Sequence, residues 1–120
     1  MGMYASVRGW IELDHKQRQQ AQQIIEQAQD DPYSGGWGFP ARPFNWTLYL
    51  FYGGDVREQA LPQIRAQIER LASLPPVDED GDRPRGLFIV TDERGNAERW
   101  EIQEGSVFTH AAPDFGWLTT

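Results

Sequence analysis

The residues best able to do chemistry lie between positions 78 and 82, where Asp78, Glu79, Asp80 and Asp82 surround Gly81. Carboxylates at alternating positions can gather a divalent cation or attract a basic surface. An EF-hand loop needs glycine at its sixth position and glutamate at its twelfth. Counted from Asp78, those positions hold Arg83 and Ile89, so that motif is absent. The ordinary reading of such a run is a solvated loop. The functional reading is an acidic lure for a basic cleft, such as that of a nuclease, with carboxylates standing in for substrate phosphate.

Other reactive groups are sparse. The chain has no cysteine, which excludes disulfides, thiolate catalysis and cysteine-based zinc sites. His15 and His110 are far apart in sequence, and each reads as structural or solvent-facing. Ser34, Ser73 and Ser106 lack the Gly-x-Ser-x-Gly setting of a hydrolase nucleophile. Glu98, Glu101 and Glu104 recur at intervals of three, a spacing that on a strand scatters them over both faces. That argues against a glycosidase-type dyad. Asn45-Trp46-Thr47 matches a glycosylation sequon but falls within an apolar strand pattern. No catalytic residue, metal or cofactor is expected.

Aromatic residues interleaved with glycine form the second candidate. The segments are Tyr33-Ser34-Gly35-Gly36-Trp37-Gly38-Phe39-Pro40, Phe51-Tyr52-Gly53-Gly54 and Phe115-Gly116-Trp117-Leu118. Gly35, Gly36 and Gly38 are spaced like phosphate-loop glycines, yet no Lys-Ser/Thr follows and no helix opens there. Two placements are open for Tyr33, Trp37 and Phe39: inward as a satellite core, or outward as anchors for a protein partner.

The surrounding pattern sets the elements that hold these residues. Met3 to Leu13 alternates, with Ala5, Val7, Gly9, Ile11 and Leu13 on one face and Trp10 on the more polar one. Asp14 offers an N-cap for a helix to about Gln29, with Ala21, Ile24, Ile25 and Ala28 as its apolar stripe. A loop runs to Pro43. Phe44 to Tyr52 reads as a central strand with bulk on both faces, broken by Gly53-Gly54. Asp55 and Glu58 resemble a capping box, but Pro62 requires a short turn before the main helix from about Leu61 to Ser73. Leu87–Thr91, Ala97–Gln103 and Ser106–His110 read as strands joined by turns at 93–96 and 104–105. The expected fold is a single α+β domain of order β-α-β-α-β-β-β, with two helices packed on a mostly antiparallel five-stranded sheet.

Length and charge narrow the function. At 120 residues the chain can build one core, and its net charge of −7 opposes nucleic-acid binding. Lys16 is the single lysine among 11 basic residues. No apolar run is long enough to span a bilayer as a helix, and the amino terminus lacks a signal-peptide pattern, so a cytoplasmic location is expected. Gly2 and Ser6 meet a minimal myristoylation pattern of the kind that arises by chance.

Its acidic, cysteine-free, tryptophan-rich α+β character, with the 33–40 segment, Phe51-Tyr52-Gly53-Gly54-Asp55 and the 78–82 cluster, resembles the immunity proteins of bacterial polymorphic-toxin and contact-dependent inhibition systems. The resemblance implies a cytoplasmic protein that binds one cognate toxin domain tightly and blocks its active site or substrate entry, and a monomer or homodimer is expected. A basic nuclease or other RNA-directed toxin fits the acidic charge. The expected contacts are Trp10, Tyr33, Trp37 and Phe39 with Asp78, Glu79, Asp80 and Asp82. The alternatives are a small ligand-binding or enzymatic domain with an aromatic-lined pocket, and a subunit of a stable homo-oligomer.

Overall fold

The computed structural model describes residues 3–28 and 31–119. Gly2, and Gln29 and Asp30 at the expected end of the first helix, lie outside the described residues. The chain is an α+β structure with one antiparallel sheet. The strands are β1 (Tyr4–Asp14), β2 (Trp37–Gly38), β3 (Thr47–Arg57), β4 (Arg85–Asp92), β5 (Ala97–Gln103) and β6 (Ser106–Ala111). Two α-helices, α1 (Arg18–Glu26) and α2 (Leu61–Ala72), are joined to them through short 3-10 turns. Sheet order is β2-β3-β1-β4-β5-β6, so β1 and β4 are central.

Alternation along β1 gives the sheet its two faces. Ala5, Val7, Ile11 and Leu13 are buried, together with Leu48, Leu50 and Tyr52 of β3 and Phe88 and Val90 of β4. Over this face lie Ile64, Ile68 and Leu71 of α2 and Ala21 and Ile24 of α1. Each fully buried side chain of this kind contributes roughly 1.5–3 kcal/mol. Asp14 caps the first 3-10 turn by accepting from the Lys16 amide, while Gln17 reaches back to the Asp14 amide. Pro62 sits in the first turn of α2, where its missing N–H costs no helical bond, after a 3-10 turn over Glu58–Ala60.

The opposite face carries a partial third layer. Residues 113–119 form 3-10 turns that pack on β4 and β5. Ile89 and Thr91, which register places on this outer face, are buried.

Several expectations need correction. The sheet has six strands, because Trp37–Gly38 leaves the aromatic loop to pair with Tyr52 and Phe51. β3 begins at Thr47, and Phe44 and Trp46 are exposed before it. Gly53-Gly54 does not end β3; the strand continues to Arg57, with Gly53 opposite Arg8 and Gly54 opposite Val7. Asp55 is therefore no helix cap, and its carboxylate accepts a 2.6 Å bond from the Ser6 hydroxyl across the strand pair. The central position belongs to β1, because β3 lies next to the edge strand β2. α1 ends at Glu26.

Gly9 is the tightest point of the sheet. A β-carbon there would lie 2.1 Å from the Leu87 carbonyl oxygen and 2.7 Å from Cα and Cδ1 of Phe88. Two of those atoms are backbone and cannot swing aside. Gly9→Ala should therefore cost about 3 kcal/mol or more in urea unfolding. Gly38→Ala, where a β-carbon meets nothing within 4 Å, should stay within roughly 0.5 kcal/mol of wild type.

Candidate functional site

The end of β1, the start of β3 and the loop leading into β4 enclose an open cleft of about 410 Å³. Glu12, Asp14, Asp78, Asp80 and Asp82 line it, with Trp46, Arg83 and Arg85. The buried Pro84 anchors the loop where it enters β4. Asp78 shapes the loop tip by accepting from the amides of Gly81 (3.0 Å) and Asp82 (3.3 Å). Gly81 supplies the positive φ of 71° that the turn requires.

Carboxylate oxygens of Asp78, Asp80 and Asp82 approach within 4.8 Å of one another, a spacing that could hold a cation. All three are exposed, and exposed acidic groups of this kind are common without an ion. Glu79 is also exposed but does not line the cleft.

Trp46 lies in the apolar run that reads as a strand, yet it stands 92% exposed at the cleft wall, a placement the pattern did not suggest. His15 helps hold the segment there through a 2.7 Å bond between Nε2 and the Asn45 carbonyl. The signal available in sequence was Pro43 and Asn45 just before it, both loop-forming residues.

Trp10 faces the outer side of the sheet, half-buried, and its Nε1 donates to Glu12 Oε2 at 3.1 Å. The other Glu12 oxygen lies 3.4 Å from Arg85 Nε. Glu12 thus ties Trp10 to the cleft. Register places Phe51, Trp10 and Leu87 side by side across β3, β1 and β4. Phe51 is 49% exposed.

Tyr33, Trp37 and Phe39 are not brought to this region. They pack inward against the helix-covered core, so of the two open placements the satellite core is the one found. The Trp37 ring meets Tyr52 edge-on at 4.8 Å, and its Nε1 donates to Gln67 Oε1 of α2. Phe39 lies beneath the Arg18 guanidinium at 4.6 Å. The Tyr33 carbonyl accepts a 2.8 Å bond from the Tyr52 hydroxyl.

The histidines are apart. His15 adjoins the start of α1, whereas His110 on β6 lies 3.4 Å from Glu101, which also pairs with Arg99 at 2.8 Å. Glu98 accepts instead from Trp100 Nε1, so the glutamates of β5 serve different partners.

Tyr52 gives this packing a measurable signature. Burial, then the negative charge of Asp31 and the neighbouring Tyr33, push its hydroxyl from the ordinary 10.0 up to about 12. A folded value above the unfolded one means that this contribution is intact below pH 10 and is lost as pH rises through about 12. An absorbance step of tyrosinate near pH 12 should disappear in Tyr52→Phe. That variant should lose about 1–2 kcal/mol at neutral pH in denaturant unfolding. The difference from wild type should narrow above pH 10. No protein-family model, curated protein or solved structure matches the chain.

Proposed function

We propose that this protein is an immunity protein that binds a cognate bacterial toxin domain and neutralises it by occluding its active site. The observation that carries the reading is the union of Trp46 with Asp14, Asp78, Asp80 and Asp82 around one open cleft. A chain of net charge −7 attracts a basic protein over several ångströms and speeds encounter. An exposed tryptophan beside the carboxylates then supplies a large contact surface that slows dissociation. A basic nuclease or other RNA-directed toxin is the partner class that best fits this charge, because its substrate site must itself hold phosphate. The role is recognition rather than catalysis, in the cytoplasm where such a toxin acts. Trp10, joined to the cleft through Glu12, belongs to the same contact surface. Tyr33, Trp37 and Phe39 are reassigned to the scaffold on account of their inward packing.

The test is growth rescue in a sensitive bacterium, using the C-terminal domain encoded immediately upstream as the toxin. Co-expression of this chain should restore growth, and a harmless or unrelieved neighbour would remove the proposed pairing. With the purified pair, reversal of Asp78, Glu79, Asp80 and Asp82 to lysine should slow association about tenfold or more and reduce its salt dependence. Trp46→Ala should instead raise the dissociation rate about tenfold. Unchanged kinetics in both variants would move the interface elsewhere.

A further inference from the structure

β6 forms one edge of the sheet, and no strand among the described residues pairs with its outer side. The phase of the β5–β6 ladder determines which of its backbone groups are free. Glu104 and Gly105 both have positive φ, 53° and 80°, as a two-residue type I′ hairpin demands. Such a turn is closed by a hydrogen-bonded pair, here Gln103 opposite Ser106. Alternation then turns Phe108 and His110 back toward β5 and points the N–H and C=O of Val107, Thr109 and Ala111 outward. Two bonds agree with this phase. The Ala112 amide donates to the Ala97 carbonyl at 3.0 Å, continuing the hydrogen-bonded set. The Val107 carbonyl, outside the β5 ladder, accepts from Arg65 Nη2 at 3.1 Å.

Exposed edges are normally blunted by proline, lysine, other charges or bulges. The sequence Ser106-Val107-Phe108-Thr109-His110-Ala111 carries no proline and no formally charged side chain. In a chain of net charge −7 it is a segment along which two copies can meet without opposing carboxylates on the paired strands themselves. Its order is also symmetric about Thr109: an aromatic ring on either side, then a small apolar residue beyond each ring. At the opposite edge, β2 has only two residues and pairs with Tyr52 and Phe51 of β3.

We propose that β6 pairs antiparallel with β6 of a second copy, about a two-fold axis at Thr109. The two six-stranded sheets then become one continuous sheet of twelve strands. Thr109 lies opposite Thr109 of the second copy, and Val107 opposite its Ala111, so the outward-pointing backbone groups meet one another. Phe108, 43% exposed, faces His110 of the second copy on the outer side. Aromatic and Thr–Thr pairs are favourable cross-strand neighbours. The bond from Arg65 does not close this edge, because a carbonyl oxygen has two lone pairs. A second copy is the occupant that the order of the segment favours, because self-pairing sets ring opposite ring and small apolar residue opposite small apolar residue.

Sedimentation velocity of the wild-type chain over a wide concentration range should show mass rising from 13.8 kDa to twice that value. Thr109→Asp keeps a partner for Arg65, whose Nη1 bonds the Thr109 hydroxyl, but sets two carboxylates across the two-fold axis. It should weaken association at least about tenfold, the equivalent of roughly 1.4 kcal/mol. Ala111→Pro removes an outward N–H without touching the β5 ladder and should act in the same direction. Circular dichroism establishes that each variant is folded. Register is read with Thr109→Cys, the only thiol in an otherwise cysteine-free chain, which should form a disulfide-linked dimer under mild oxidation. Gln103→Cys, at an exposed position away from the axis, should not. A monomeric wild-type chain at every concentration overturns the proposal, as does a dimer whose affinity is unchanged in folded Thr109→Asp and Ala111→Pro.

Discussion

The ring of Phe88 lying where Gly9 has no side chain is the contact that sets the rest of the sheet. Gly9 and Phe88 are register partners in the two central strands, and any larger residue at position 9 would strike backbone as well as ring. Gly86 repeats the constraint from the other strand, since a β-carbon there would lie 2.1 Å from the Trp10 carbonyl. Strand glycine usually weakens a sheet, and an aromatic ring laid across it restores the lost packing. With β1 and β4 locked at this point, a shift by one residue would turn Ile11 and Leu13 to solvent and Trp10 and Glu12 into the core. The outer-face row and the acidic cleft both follow from that register.

The helix-covered face is closed at its β3 end by the aromatic loop. Gly36 lets the loop backbone come close, for a β-carbon there would lie 2.7 Å from the Gly53 carbonyl oxygen. Tyr52 then bonds the Tyr33 carbonyl, and Trp37 takes Gln67 as a partner for its indole N–H. Buried tyrosine and tryptophan need such partners, and an edge-on aromatic pair adds about 0.5–1.5 kcal/mol beyond the area it buries. Gly36 therefore serves close packing, whereas a β-carbon at Gly35 or Gly38 would meet nothing within 4 Å.

Local signals were legible in the sequence, while long-range ones were not. β1 followed from alternation, the start of α2 from Pro62, and β4 to β6 from apolar runs separated by turn residues. Gly53-Gly54 misled because paired glycines read as a breaker. Within β3 they are held by the ladder to β1, and at Gly53 the aromatic loop comes close, an approach with no local sequence pattern. The acidic loop was visible as a charge run, but its companions were hidden. Trp46 joins it only because β3 starts later than its apolar pattern suggests. Glu12 and Asp14 join it because β1 ends beside that loop.

The resulting charge distribution separates two kinds of surface. At the cleft, carboxylates from β1 and the 78–82 loop meet few neutralising groups: Arg85 pairs with Glu12, and Arg83 stands at the wall. Uncompensated charge of one sign, close to a low-dielectric protein wall, produces a field that acts before contact and depends strongly on salt. At β6 the balance is different. Glu101 is paired with Arg99 and lies beside His110, and the strand's own side chains carry no formal charge. A cation from α2, Arg65, is laid on it, bonded to the Val107 carbonyl and the Thr109 hydroxyl. Its affinity must come from hydrogen bonds and close packing, which act only at contact and respond weakly to salt. On the proposed reading the two surfaces operate independently, the cleft setting the rate at which a basic partner arrives and β6 setting how copies of the chain associate.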